Sequence, residues 1–379
     1  MALEFQKSKP STLGVEWELA LVDPKTGDLL QTADDIIKSV NSKATKDQTV
    51  VENELMLNTI EIATGVCDTV DEAMKDLAST VGRILPVAKK DNTRLAAFGL
   101  HPTARPEEQE ITDLNRYQKI LRDVQVWARH LMIWGIHVHV GVDSKDKVVP
   151  IMNGLMTYSP QFIALSASSP YWHGADSGYA SNRTMLFQQF PTAGIPPQIY
   201  GWEDYAVCMQ GMQDAGIIEA PNDLRWDIRP APHFGTVEIR LCDGMADLKE
   251  IAAITALAQC LVDEMSEQLD NGYEPIILPQ WFLRENKWRA ARYGIDAKMC
   301  IDGRGTERPI KDEILDTADR LKERAEKLGC ADELAYIKTM VKKGPAYKRQ
   351  LEMREKGADF SEIVLDNADN LEASLKNFS

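Results

Sequence analysis

Apolar and polar side chains alternate along TLGVEWELALVD, residues 12–23, and the alternation predicts a strand that ends at the turn residues DPKTGD. VENELMLNTIEIATGV (51–66) predicts a second strand region, and TRLAAFGLHP (93–102) a third strand running into a Pro-rich turn. DEAMKDLASTVGRILPVAKK (71–90) switches to helical period, with Asp68 or Thr69 placed to cap it. DLNRYQKILRDVQVWARHLMIW (113–134) reads as one long amphipathic helix, and GIHVHVGVD follows as a strand. VVPIMNGLMTYSPQFIALSAS (148–168) is apolar and helical, with Pro160 expected to bend or break it. Residues 171–197 are rich in Gly, Ser and Pro and too long for a simple connection, which makes them a candidate functional loop. WDIRPAPHFGTVEIRLCDG (226–244) predicts two short strands around a turn, and residues 247–269 a helix. From about residue 280 the chain is expected to be wholly helical and charge-rich. Strands interleaved unevenly with helices, then a helical tail, predict an α+β fold with a mainly antiparallel sheet.

Composition narrows this only a little. The 379 residues are 44% hydrophobic and 27% charged, an ordinary globular balance, with no internal repeat and no flexible linker. A formal net charge of −15 argues against a nucleic-acid partner, which is bound through clustered Lys and Arg. No run of 18 apolar residues is present, so no membrane span is expected. The first residues, MALEFQKSKPSTLG, carry neither a basic nor an apolar leader region, so a cytoplasmic protein is expected. The six cysteines lack CxxC spacing and read as reduced thiols, not as a disulfide framework or zinc site.

The chemistry lies in where the acids fall. In GVEWE the alternation puts Glu16 and Glu18 on one strand face and Trp17 on the other. Two carboxylates side by side repel and lose solvation, a strain that a divalent cation relieves; an edge strand facing water would tolerate them equally well. The pattern recurs: Glu54 and Glu61 in the second strand region, Glu238 in TVEIRL with Arg240 on the same face, and His137 with His139 sharing a face of GIHVHVG. Five strand acids, two histidines and an arginine, each interrupting a core-like segment, are hard to ascribe to independent accidents. An oxygen-rich set with few nitrogens favours Mg²⁺ or Mn²⁺ over zinc, and Mg²⁺ on carboxylates usually serves substrate phosphates. Arg240 would then neutralise a transferring phosphoryl group. Neither a P-loop nor a kinase glycine loop is present, so ATP would be held by the sheet and its metals.

GVEWELALVDPKTGDLL, ENELMLNTIEIATGVC, GIHVHVGVD, ALSASSPYWHGADSGYASNR, FPTAGIPP and DIRPAPHFGTVEIRLCDG together resemble the type 2 glutamate–cysteine ligase family, the YbdK-type carboxylate–amine ligases. The resemblance runs from about residue 11 to about residue 370. It implies a glutamine synthetase-like catalytic fold: a funnel-shaped active site of antiparallel strands flanked by helices and holding two or three Mg²⁺. It implies a single catalytic domain over 1–379, with a sheet-bearing core over about 11–275 and a helical part over about 280–379. The family's roles, carried over position by position, make Glu16, Glu18, Glu54, Glu61, His137 and Glu238 metal ligands, with Glu61 the safer of its pair. His139 falls to the ATP phosphates or shares the metal, Arg240 falls to the γ-phosphate, and Arg183 and Arg229 fall near the substrate or phosphate. Many members carry an acid between the paired glutamates; Trp17 stands there in this chain and is expected to pack away from the metals.

The implied reaction is attack of a substrate carboxylate on the γ-phosphorus of Mg·ATP, then attack of an amine on the acyl phosphate, giving an amide, ADP and phosphate. L-Glutamate and L-cysteine are the expected substrates. The same chemistry on another amine, a metal-dependent hydrolase using these groups to activate water, or a non-catalytic binding relative remain open on the residues alone. Among lesser signals, His101 and His130 read as packing or surface histidines, while His173 and His233 lie in loops near the proposed site. Cys242 reads as a small buried apolar residue sooner than as a redox switch. The charged tail reads as a solvated face that leaves room for a homo-oligomer contact.

Overall fold

The computed structural model describes residues 3–45 and 48–378; the readings of the extreme N-terminus and of the bounds 1–379 extend outside them. Its centre is a seven-stranded sheet built from β1 (Leu13–Val22), β2 (Val51–Asn53), β3 (Thr59–Ala63), β4 (Arg94–Ala96), β5 (Gly135–Gly141), β6 (Ile228–Ala231) and β7 (Thr236–Asp243). The strands lie in the order β6–β7–β5–β1–β3–β2, all antiparallel, with β4 paired to the end of β1. This is the α+β class with an antiparallel sheet that the sequence predicts.

Period-two alternation divides the sheet into two unlike faces. Val15, Trp17, Leu19, Ile60, Ile62, Ile136, Val138 and Val140 are buried in the main core. The helices Val70–Lys90, Lys145–Ser166 and Leu248–Asp270 pack against the sheet and cover them. Trp17 is fully buried there, as the alternation requires, although its indole Nε1 finds no partner. The opposite face carries the acids and histidines. Helix starts follow their local signals: Thr69 and Glu72 form a capping box, and Asp247 caps the helix Leu248–Asp270.

The structure departs from the sequence expectations in several places, each with a local cause. The second strand region is two strands, and Glu54 lies in the turn between them, not in a strand. The helix expected over 113–134 stops at Val124, resumes over Val126–Arg129, and turns at Gln125, whose φ is +54°. Backbone pairing then claims residues 131–134, through a bridge between Leu100 and Ile133 and a bond from the Trp134 amide to the Gly99 carbonyl. Pro160 does not break the helix Lys145–Ser166; the Ser159 hydroxyl donates to the Met156 carbonyl, 2.8 Å away, which an amide at 160 would have served. The strand expected over 93–102 shrinks to Arg94–Ala96. The tail is not wholly helical, since Lys298–Cys300 pairs with Glu307–Pro309. The helices Ala33–Asn41 and Trp202–Asp214 were not predicted, and the loop 171–197 holds the short helix Asn182–Phe187.

Candidate active site

Strand register, not proximity in sequence, assembles the polar face. Glu16 pairs with His137 across β1 and β5; Glu238 pairs with His139 across β7 and β5; Arg229 pairs with Glu238 across β6 and β7; and Glu18 pairs with Glu61 across β1 and β3. Cross-strand neighbours lie within reach on one face, so seven residues drawn from five strands meet there.

The first cluster is Glu16, His139 and Glu238, which offer ligand atoms within 4.8 Å of one another. Burial alone would raise the Glu16 carboxyl, but hydrogen bonds from His137 and His139 hold it well below the usual range. His137 Nδ1 lies 2.7 Å from Glu16 Oε2, and His139 Nε2 lies 3.2 Å from Glu16 Oε1. The other nitrogen of His139 meets the Thr236 hydroxyl at 2.9 Å, which fixes the ring. Burial pushes His137 down to about 4, with the Arg240 charge adding to the effect. His139 is raised instead: against burial, the charges of Glu238 and Glu16 favour its protonated form.

The second cluster is Glu18, Glu54 and Glu61, again within 4.8 Å. Burial pushes Glu18 up to about 7, against the pull of the Arg183 charge. Burial also raises Glu61 well above the usual range, reinforced by the negative charges of Glu16, Glu54 and Glu18. Three mutually repelling carboxylates, two with a raised proton affinity, form a donor set that a hard divalent cation fits.

Basic groups close the other side. Arg229 Nε donates to Glu238 Oε2 at 2.6 Å, and Arg240 Nη1 donates to Glu238 Oε1. Burial opposes ionisation of Glu238, yet the two guanidiniums hold its carboxyl far below the usual range. Arg240 is raised in turn, chiefly by the Glu238 charge overcoming burial. Arg183 is placed differently from these. It is 2% exposed, its Nη2 donates to the Arg240 carbonyl at 3.2 Å, and it lines a smaller pocket with Glu18, Glu54, His137 and Arg240.

Glu16, Glu54, Glu61, His139 and Glu238, drawn from both clusters, line a cleft of about 560 Å³ together with Arg229 and Arg240. The carboxylates are placed to hold cations, and the guanidiniums to meet an anionic group. Sequence reading missed Arg225, Arg116, Lys119 and Tyr117 in this cleft. Arg225 stands two and four positions before Asp227 and Arg229, the one pattern that could have marked it. Its guanidinium lies 4.7 Å from the Phe190 ring centre, and burial, with the Arg240 charge, pushes it down to about 10. Arg116 and Tyr117 read as an ordinary helix surface and carry no such signal. His101 is a structural histidine, buried with Nε2 2.9 Å from the Gly27 carbonyl. Cys242 is fully buried and its thiol is pushed up to about 12 by burial, which makes it inert.

The family described as Glutamate-cysteine ligase family 2 (GCS2) matches residues 12–365. "Putative glutamate--cysteine ligase 2-1" of Arthrobacter sp. (strain FB24) is 45% identical over 372 residues, 97% of each chain. A similarly named protein of Mycobacterium tuberculosis is 43% identical over 364 residues, 96% of each chain. Among solved structures, a glutamate–cysteine ligase from Francisella tularensis in complex with AMP has a TM-score of 0.70 at 14% identity, covering 99% of this chain and 90% of that one. A bifunctional glutathione synthetase from Pasteurella multocida has a TM-score of 0.67 at 13% identity, covering 96% of this chain and 52% of that one. At these identities the structural likenesses establish the fold alone. Among the described residues no helix is long and apolar enough to cross a membrane.

Proposed function

The chain belongs to glutamate–cysteine ligase family 2, and we propose on that premise that it joins the γ-carboxylate of L-glutamate to the amine of L-cysteine at the cost of ATP. Family membership makes it an ATP-dependent carbon–nitrogen ligase; the substrates, the metal and the residue roles are the proposal. One observation supports the reading above the others: two groups of acids able to share a cation, Glu16–His139–Glu238 and Glu18–Glu54–Glu61, beside Glu238 held by Arg229 and Arg240.

In this reading Glu16, Glu18, Glu54, Glu61, His139 and Glu238 would hold Mg²⁺ or Mn²⁺, with His137 hydrogen-bonded to Glu16. Bound there, the cation would screen the negative charge of the ATP phosphates. The chain's own groups do the rest. Arg240, in a buried site where electrostatic interactions are strong, meets charge that builds on the γ-phosphoryl oxygens. Arg229 keeps Glu238 ionised and leaves Arg240 free to turn toward the substrate. A γ-carboxylate oxygen of glutamate forms a bond to the γ-phosphorus while the bond to the β-phosphate oxygen breaks, and ADP leaves. The amine then attacks the acyl carbon, phosphate leaves, and the amine loses a proton. Such phosphoryl transfers depend on positioning and charge neutralisation, with no covalent bond to the protein.

The test is ADP release by purified protein with ATP, Mg²⁺, L-glutamate and a panel of amines. The reading predicts release that needs both glutamate and an amine, greatest with L-cysteine. Release greatest with another amine would correct the acceptor, and ADP release without glutamate would contradict the ligase reading.

A further inference from the structure

Arg240 stands at an irregular rung of the sheet. On the β5 side the register shifts between Ile239 and Cys242, so Arg240 has no partner there. On the β6 side its amide donates to the Asp227 carbonyl at 2.9 Å. The reciprocal bond of a regular antiparallel rung is missing, because the Asp227 amide donates to the Gly194 carbonyl instead. The Arg240 carbonyl is taken by Arg183. The main chain of Arg240 is therefore held by one ladder bond, to Asp227, and one side-chain bond.

Asp227 is itself a bend between two short strand pieces, Arg225–Trp226 and Ile228–Ala231, and ladder pairing alone does not define its position. Its side chain is held by Lys287. The Lys287 ammonium, from the helix Gln280–Tyr293, lies 2.9 and 2.6 Å from the two carboxylate oxygens of Asp227. Both side chains are buried, at 5% and 2% exposure. Neither lines the cleft, so the pair has no direct path to substrate. A buried ion pair is a poor way to gain stability, but it does fix geometry.

We propose that Lys287 and Asp227 form a positioning pair that sets the height and direction of Arg240, so that a residue of the C-terminal helical part tunes phosphoryl transfer through one backbone hydrogen bond. This rests on the role given to Arg240 above. A displacement of about 1 Å at a reacting group can cost as much as a hundredfold in rate, and the pair sits one hydrogen bond from such a group.

The test is a coupling experiment on the full chain. Lys287→Met alone would strand a buried carboxylate, so the main variant is Asp227→Asn with Lys287→Met, which leaves no uncompensated charge. We expect kcat to fall about tenfold, with KM for ATP and the thermal midpoint close to those of the parent. In an Arg240→Lys background the same double substitution should cost less than about twofold more, because the group it positions is already impaired. Lys287→Arg, which keeps the charge and changes the fit, should lie between parent and double variant, and it replaces the double variant on both backgrounds if that one fails to fold. Undiminished kcat in a folded variant, or a loss of equal factor in both backgrounds, overturns the proposal. If Arg240→Lys alone turns over at the parental rate, it is the reading of Arg240 that fails.

Discussion

His137 Nδ1 lies 2.7 Å from the Oε2 of Glu16, its direct cross-strand neighbour. Because Glu16 is held ionised, that nitrogen carries the proton and the imidazole stays neutral. We expect His137 to orient Glu16 through Nδ1, with its Nε2 3.8 Å from Glu18 Oε1, while His139 is grouped with Glu16 and Glu238 where a cation would sit. His139→Ala should raise the Mg²⁺ concentration for half-maximal activity strongly. His137→Ala should raise it by about 10- to 100-fold, the usual effect of removing a group that orients a ligand. Mg²⁺ titrations that superimpose on the parent's would remove both residues from the account.

The raised carboxyl of Glu18 makes a prediction with a definite sign. Burial pushes it up to about 7 from an ordinary value near 4.5, so folding takes up a proton between those values and stability falls as pH rises through that window. The full shift corresponds to roughly 3 kcal/mol. His137 and His101 have lowered pKa values and change stability in the opposite direction below about 6.5, so the comparison must be made against a variant. In metal-free buffer Glu18→Gln should match the parent near pH 4 and become progressively more stable than it up to about pH 7. Denaturant titrations at intervals from pH 4 to 8 measure this, and a constant difference would show that Glu18 is not strained in the apo site.

Arg240→Lys keeps the charge and loses the planar fork that matches phosphate oxygens. We expect kcat to fall about ten- to a thousandfold, about 1.4–4 kcal/mol of transition-state stabilisation. ADP affinity should change far less, because ADP lacks the γ-phosphate. Steady-state kinetics beside ADP calorimetry decide it: parental kcat, or an equal loss of ADP affinity, would deny Arg240 a part in the transfer.

Gly135 permits the close approach of Arg183. A Cβ at this position would collide with Arg183 Nη2 and fall 2.6 Å from its Cζ. Arg183 is buried and its helix start is tied through Ser169 and Ser181 to Asp243, so it has little room to retreat. Gly135→Ala should cost about 1–3 kcal/mol of stability and lower kcat by displacing the bond to the Arg240 carbonyl. Parental stability in a urea titration would show that the guanidinium moves freely.

The parts of this site that were legible in the sequence are those that a period of two exposes. Glu16, Glu18, His137, His139, Glu238 and Arg240 interrupt apolar strands, and alternation alone puts each on the polar face. Register was not legible: nothing in the sequence says that Glu238 lies opposite His139, and so the pairing of His139 with the carboxylates could not be read there. Arg225, Tyr117 and Lys287 were missed for a related reason. Tyr117 and Lys287 sit on segments whose local pattern is ordinary, Arg225 is marked only by its spacing to Asp227 and Arg229, and the tertiary fold brings each to the cleft or beneath it. Gln125 shows the same limit for helices, because the pull of Leu100 on Ile133 ends a helix whose own periodicity would continue.

Oxygen transfer tests the central claim most directly. L-Glutamate labelled with ¹⁸O in its γ-carboxylate would be turned over with ATP, Mg²⁺ and L-cysteine, and the inorganic phosphate analysed by mass spectrometry. Attack of that carboxylate on the γ-phosphorus predicts one ¹⁸O atom in each phosphate released with amide. Phosphate free of label, with the dipeptide formed, would contradict the acyl phosphate route and with it the roles assigned to the cleft.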